Sequence, residues 1–147
     1  MIVAMSKKKA ILRILLFLQI TLIFSFSLMN GELSGNTSGS LSLWLYDFLS
    51  VPFSYEIFHF SIRKCAHFTE YAVLGAIAYL NGRYAPFFGK TKATVLFFLF
   101  AVPLTDEFLQ TRIPGRYGTI YDSLLDMAGY LTGVLIAYLI TEKRKNS

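Results

Sequence analysis

A chain of 147 residues has room for one domain, and 54% hydrophobic against 16% charged residues is too apolar for a soluble globular protein. The net charge of +5 does not argue for nucleic acid, because basic residues in so hydrophobic a chain serve as membrane topology signals. Cys65 stands alone, which excludes an internal disulfide and a multi-cysteine metal site.

The first apolar run, residues 10–29, is long enough to cross a bilayer as a helix and follows Lys7, Lys8 and Lys9, with Arg13 near its start. It exceeds the h-region of a signal peptide and lacks an A-x-A site, so it reads as an uncleaved first span. Residues 30–40 (NGELSGNTSGS) read as a solvated loop on their Gly, Ser and Asn content. Residues 41–62 mix Trp44, Tyr46, Phe48, Phe53, Tyr55, Phe58 and Phe60 with Asp47, Pro52, Glu56 and His59, which suits an interfacial or re-entrant segment better than a span. A second span is predicted at 63–82, polar at its start and apolar beyond. The third, at 93–110, contains Pro103, which should kink it, and the fourth runs over 120–140. Pro114-Gly115 marks a tight turn between the last two. The expected fold is therefore an all-α membrane protein of four transmembrane helices, a single domain over 1–147.

Lys and Arg accumulate on cytoplasmic loops, and a cytoplasmic N-terminus places ten of the fourteen basic residues inside. Arg63, Lys64, Arg112 and Arg116 fall outside. Both termini are thus expected in the cytoplasm, and the basic tail EKRKNS acts as a topology anchor.

With that topology the polar ends of the last three spans meet at the outer face. They bring Lys64, His67, Glu70 and Tyr71, then Asp106, Glu107 and Gln110, then Asp122 and Asp126, with Arg112 and Arg116 between. Lys64, His67 and Tyr71 share one helical face, as do Asp122 and Asp126, whose stripe continues through Gly129 and Gly133 at a spacing that permits close helix approach. Ionised residues cost about 2.5–3.5 kcal/mol at the centre of a membrane helix, so these groups are expected to face each other rather than lipid.

The strings RKCAHFTEYAVLG, DEFLQTRIPGRYGTIYD and DMAGYLTG resemble the VanZ-like membrane proteins, over roughly residues 63–140 and a similar first span. Lys64, His67, Glu70 and Tyr71 fit that family's first motif, Asp106, Glu107 and Gln110 its second, Arg116 its Pro-Gly-Arg turn, and Asp122, Gly129 and Gly133 its last. Asp126 stands where the family often has Asn, which adds a potential negative charge. The resemblance implies a bacterial plasma membrane and a link to resistance against teicoplanin, a lipid-bearing glycopeptide.

These residues support an outward pocket that binds an amphiphilic envelope component or lipoglycopeptide without chemistry, through Lys64, His67, Glu70, Tyr71, Asp106, Glu107, Gln110, Arg112, Arg116, Asp122 and Asp126. The alternative is a membrane hydrolase or transferase acting on a lipid-linked substrate, with His67, Glu70 and Asp106 as candidate proton carriers. A purely structural network, with Lys64, Arg112 or Arg116 bridging to Asp122 and Asp126, stays open, as does a small transporter. No cofactor is indicated; His67 with Glu70, Asp106, Glu107, Asp122 or Asp126 would make an oxygen-rich set for Mg, Mn, Ca or Zn, but no short ligand spacing marks it and HFTEY lacks the second His of H-E-x-x-H, so no metal is expected. Expected partners are membrane lipids, a lipid-linked precursor or lipoglycopeptide, or a second copy of the chain, and not nucleic acid.

Overall fold

The computed structural model describes residues 6–29, 31–116 and 118–146. Asn30, Tyr117 and Ser147, together with the side chains of Glu32, Leu33, Ser34, Thr37, Arg144, Lys145 and Asn146, lie outside the described residues, although the expected loop, turn and tail include them. The described residues form five helices: α1 Lys7–Ser27, α2 Gly31–Leu49, α3 Tyr55–Tyr84, α4 Thr91–Gln110 and α5 Ile120–Asn146.

Three helices among the described residues, not the expected four, are long and apolar enough to cross a membrane: α1, α4, and Ile120–Lys143 of α5. Length does not disqualify α3, which has 30 residues. Arg63, Lys64, His67, Glu70 and Asn81, spread along it, lower its apolarity. Its start also differs from expectation, since the helix begins at Tyr55 and takes in part of the stretch read as interfacial.

The larger correction concerns α2. The Gly- and Ser-rich stretch read as a loop is helical. The hydroxyls of Ser38, Ser40 and Ser42 donate to carbonyls three or four residues back, those of Gly35, Asn36 and Gly39, so they bond within the helix instead of competing with it. Small residues let α3 approach, and the Tyr55 hydroxyl donates to the Gly39 carbonyl at 3.0 Å. α2 ends in a Schellman motif: the Ser50 and Val51 amides donate to the Asp47 and Tyr46 carbonyls, with Ser50 at φ 48° and Pro52 blocking continuation.

α3 and α5 run parallel and touch through their backbones. A Cβ added to Gly129 would strike the Phe68 carbonyl, one on Gly133 the Ala72 carbonyl, and one on Gly75 the Tyr130 carbonyl. The expected glycine stripe of α5 thus does face a neighbouring helix. α1 lies antiparallel to α3, with Gln19 donating to the Glu70 carbonyl and Asn81 to the Leu12 carbonyl. Pro103 is buried inside α4, which continues through it. Leu16, Ile23, Tyr71, Leu74, Phe98, Leu99, Val102 and Tyr130 share the core. Ile14, Phe17, Leu18, Leu131, Leu135 and Leu139 lie exposed on the outside, as a lipid-facing surface requires.

Gly133→Leu is expected to destabilise the protein by more than about 3 kcal/mol or to abolish its accumulation, because backbone cannot move aside for the side chain. Gly35→Ala, where a Cβ meets nothing within 4 Å, should be neutral or stabilising by up to about 1 kcal/mol. Thermal unfolding in detergent compares the two. Ser50→Gly should raise the midpoint, since the left-handed conformation costs a non-glycine residue about 1–2 kcal/mol.

Candidate functional site

At the end of the bundle where α1 finishes, α3 begins and α4 meets α5, a cavity of about 160 Å³ opens. Its polar wall holds Arg63, His67, Glu70, Asp106, Arg116 and Ser27, and Ile23, Phe26 and Ala66 supply an apolar wall. Arg63, Ala66 and Phe26 are exposed and form the mouth, whereas Asp106 and Ser27 are fully buried at the back.

The turn joining α4 to α5 sets one edge. Ile113 to Arg116 form a hydrogen-bonded turn with Pro114 and Gly115 at its centre and Gly115 at φ 75°, the type II geometry that this dipeptide favours. The turn aims Arg116 back across the bundle, where its Nη1 donates to the Ser27 carbonyl at 3.0 Å. Burial, followed by the charge of nearby Arg63, pushes the Arg116 guanidinium below its ordinary pKa. An anion placed between these two arginines would relieve that repulsion.

Asp106 is held from two sides. Ser27 donates to its Oδ1, and Gln110, one turn further along α4, donates to its Oδ2 at 3.1 Å. Behind it lies Asp126, completely buried, with neither carboxylate oxygen hydrogen-bonded among the described residues. His67 Nδ1 is 3.7 Å from Asp126 Oδ1, too long for a hydrogen bond, and also has no hydrogen-bond partner there. One ligand-capable atom each from His67, Asp106 and Asp126 lie within 4.8 Å of one another. No short motif announces this group, because its members come from three helices.

The other expected site residues take different places. Lys64 pairs with Asp122, an ion pair of α3 with α5 that is about one-third exposed and stands beside the cavity rather than in it. Tyr71 is buried in the core with its hydroxyl toward Asp106, and Glu107 is buried against the backbone of Gly118. Gln110 acts through Asp106. Arg112 is exposed, with its guanidinium over the Phe108 ring at 4.8 Å, and does not line the cavity.

Ser27, Ser38 and Arg63 are the polar cavity-lining positions that sequence reasoning missed. Ser27 sits at the end of an apolar span and reads as a helix terminus, and Arg63 reads only as a charge at a helix start. A serine at the end of α1 was a usable signal once Asp106 was placed at the same level.

The fold and this cleft define a helical membrane protein with buried carboxylates and a half-buried imidazole at one end of its bundle. The chain belongs to the VanZ/LLP1 family, whose family model matches residues 12–141. No curated protein and no solved structure was found to match it.

Ser27→Ala should cost about 1–3 kcal/mol, the penalty for leaving a buried carboxylate short of a donor. A double-mutant cycle on Lys64 and Asp122 should return no more than about 1 kcal/mol, given the exposure of that pair. Both are read from detergent unfolding, and a cycle energy well above that would mean the pair is more strongly desolvated than its exposure indicates.

Proposed function

We propose that this protein binds the anionic headgroup of an amphiphilic cell-envelope component in a cleft on the outer side of the bacterial plasma membrane. The observation that carries the reading is the two-sided cavity: Arg63 and Arg116 on its polar wall, Ile23, Phe26 and Ala66 on its apolar wall. Guanidiniums match phosphate or carboxylate oxygens, and the apolar wall suits the adjoining lipid portion. Resistance to teicoplanin-type lipoglycopeptides would follow from occupation or altered access of that lipid-bearing ligand.

In this reading both termini are cytoplasmic, and α3 crosses together with α1, α4 and α5. Support for α3 comes from its parallel run along α5, with Lys64–Asp122 near one end and Arg83–Glu142 at the other. Lys64, Arg83 and Asn81 find partners on neighbouring helices, so the helix need not insert alone. α2, with Trp44 and Phe48 stacked and exposed, lies in the outer interface. Cys65 is exposed ten residues into α3, beside Arg63 and Ala66 at the cavity mouth, and is the chain's single cysteine. A membrane-impermeant maleimide should therefore label it in intact cells, and labelling only after permeabilisation would reverse the orientation.

For binding, the protein in zwitterionic nanodiscs is titrated with phosphatidylglycerol and, separately, with teicoplanin. Arg63→Gln should weaken retention of the anionic ligand about tenfold, the loss of one charge-assisted contact. Equal retention by the variant and the parent would remove the arginines from recognition.

A membrane enzyme acting on a lipid-linked substrate is the second reading, favoured by the adjacency of His67 and Asp106 at the cavity. In that case His67→Gln and Glu70→Gln would abolish turnover while keeping affinity, whereas a binding protein has no turnover to lose.

A further inference from the structure

We infer that His67, Asp106 and Asp126 hold one divalent first-row metal ion, Zn²⁺ or Mn²⁺, at the back of the cleft. The inference does not depend on what occupies the mouth. Two independent observations support it. The first is convergence: three ligand-capable atoms from α3, α4 and α5 lie within 4.8 Å of one another. Ligands on one ion at about 2.0–2.2 Å each stand roughly 3–4 Å apart, so the 3.7 Å between His67 Nδ1 and Asp126 Oδ1 is close to what a shared ion requires.

The second observation is Asp126 itself. It is 0% exposed, and both of its oxygens and the facing imidazole nitrogen lack hydrogen bonds among the described residues. Buried carboxylates are otherwise bonded or paired, and this one is aimed at Asp106 and His67. The nearby cations have other contacts: Lys64 pairs with Asp122, and Arg116 donates to the Ser27 carbonyl. A divalent ion would balance the charges of Asp106 and Asp126 together and satisfy the orphaned atoms in one step.

The surroundings suit a ligand set. Ser27 and Gln110 orient the Asp106 carboxylate, with the Tyr71 hydroxyl facing it as well, the supporting role that outer hydrogen bonds play around metals. One imidazole and two carboxylates favour Zn²⁺ or Mn²⁺ over an all-oxygen Ca²⁺ or Mg²⁺ site. His67 and Asp106 also line the cavity, which gives the ion an entry path and leaves a side open to an exogenous oxygen ligand.

The test uses the full chain in detergent, stripped with chelator and equilibrated with ZnCl₂ or MnCl₂. Elemental analysis should find close to one ion per chain, Asp126→Asn and His67→Gln should lower affinity at least tenfold, and Ser27→Ala should lower it roughly tenfold. Pulsed EPR of the Mn²⁺-loaded parent protein should show coupling to an imidazole nitrogen, a readout that holds even if a variant fails to fold. Less than about a tenth of an ion per chain with either metal overturns the site in favour of protonated acids. Mn²⁺ bound without nitrogen coupling overturns the assignment to these residues.

Discussion

The backbone-to-backbone contact of α3 with α5 is the constraint on which the rest of this structure depends. Between helices in lipid there is no hydrophobic force to bring them together, so close packing and polar contacts must do it. Gly129 and Gly133 set against the Phe68 and Ala72 carbonyls, with Gly75 against that of Tyr130, supply the close packing. Lys64–Asp122 and Arg83–Glu142 supply polar contacts above and below and fix the register. Only because α5 approaches so closely can α3 turn its polar residues inward. A single turn of slip between the two helices would separate His67 from Asp126.

From that seam follows an inverted distribution of side chains. Large apolar residues cover the outside of α1, α4 and α5, while Asp106, Glu107, Gln110, Ser123 and Asp126 are buried. Some of these polar groups satisfy one another, as Gln110 and Ser27 do for Asp106. Others, Asp126 foremost, have no hydrogen-bond partner among the described residues, and Asp126 stands behind a cavity that has charge on one wall and hydrocarbon on the other. At the site, then, the hydrogen bonding of His67 and Asp126 is incomplete among the described residues, and an incomplete shell is what a ligand can finish.

Much of this could be read from residue spacing. The 120–140 and 93–110 spans correspond to α5 and α4, the glycine stripe faces α3, and the Pro-Gly turn has the expected geometry, because each is encoded by a few neighbouring residues. Where the reading failed, the missing information was tertiary. Gly35 and Gly39 argue for a loop by propensity, yet α2 forms because Tyr55 and His59 of α3 bond to Gly39 and Ser42. Arg112 and Arg116 look equivalent in sequence, and only the direction of the turn sends Arg116 to Ser27 and leaves Arg112 over Phe108. The apolarity expected of α3 as a span also fails on particular residues, since Arg63, Lys64, His67, Glu70 and Asn81 are spread along the helix.

The way α1 is attached has a consequence for how the family can vary. Asn81 reaches the Leu12 carbonyl and Arg116 the Ser27 carbonyl, so two of its fastenings grip main chain, which every amino acid provides. Outside Leu16, Ile23 and Ser27, most of its side chains face away from the bundle. The first helix is therefore free to change its surface residue by residue, adapting to different lipids, without losing its place. Substitution should be far more tolerated there than along α3 and α5, where the backbone itself is the contact.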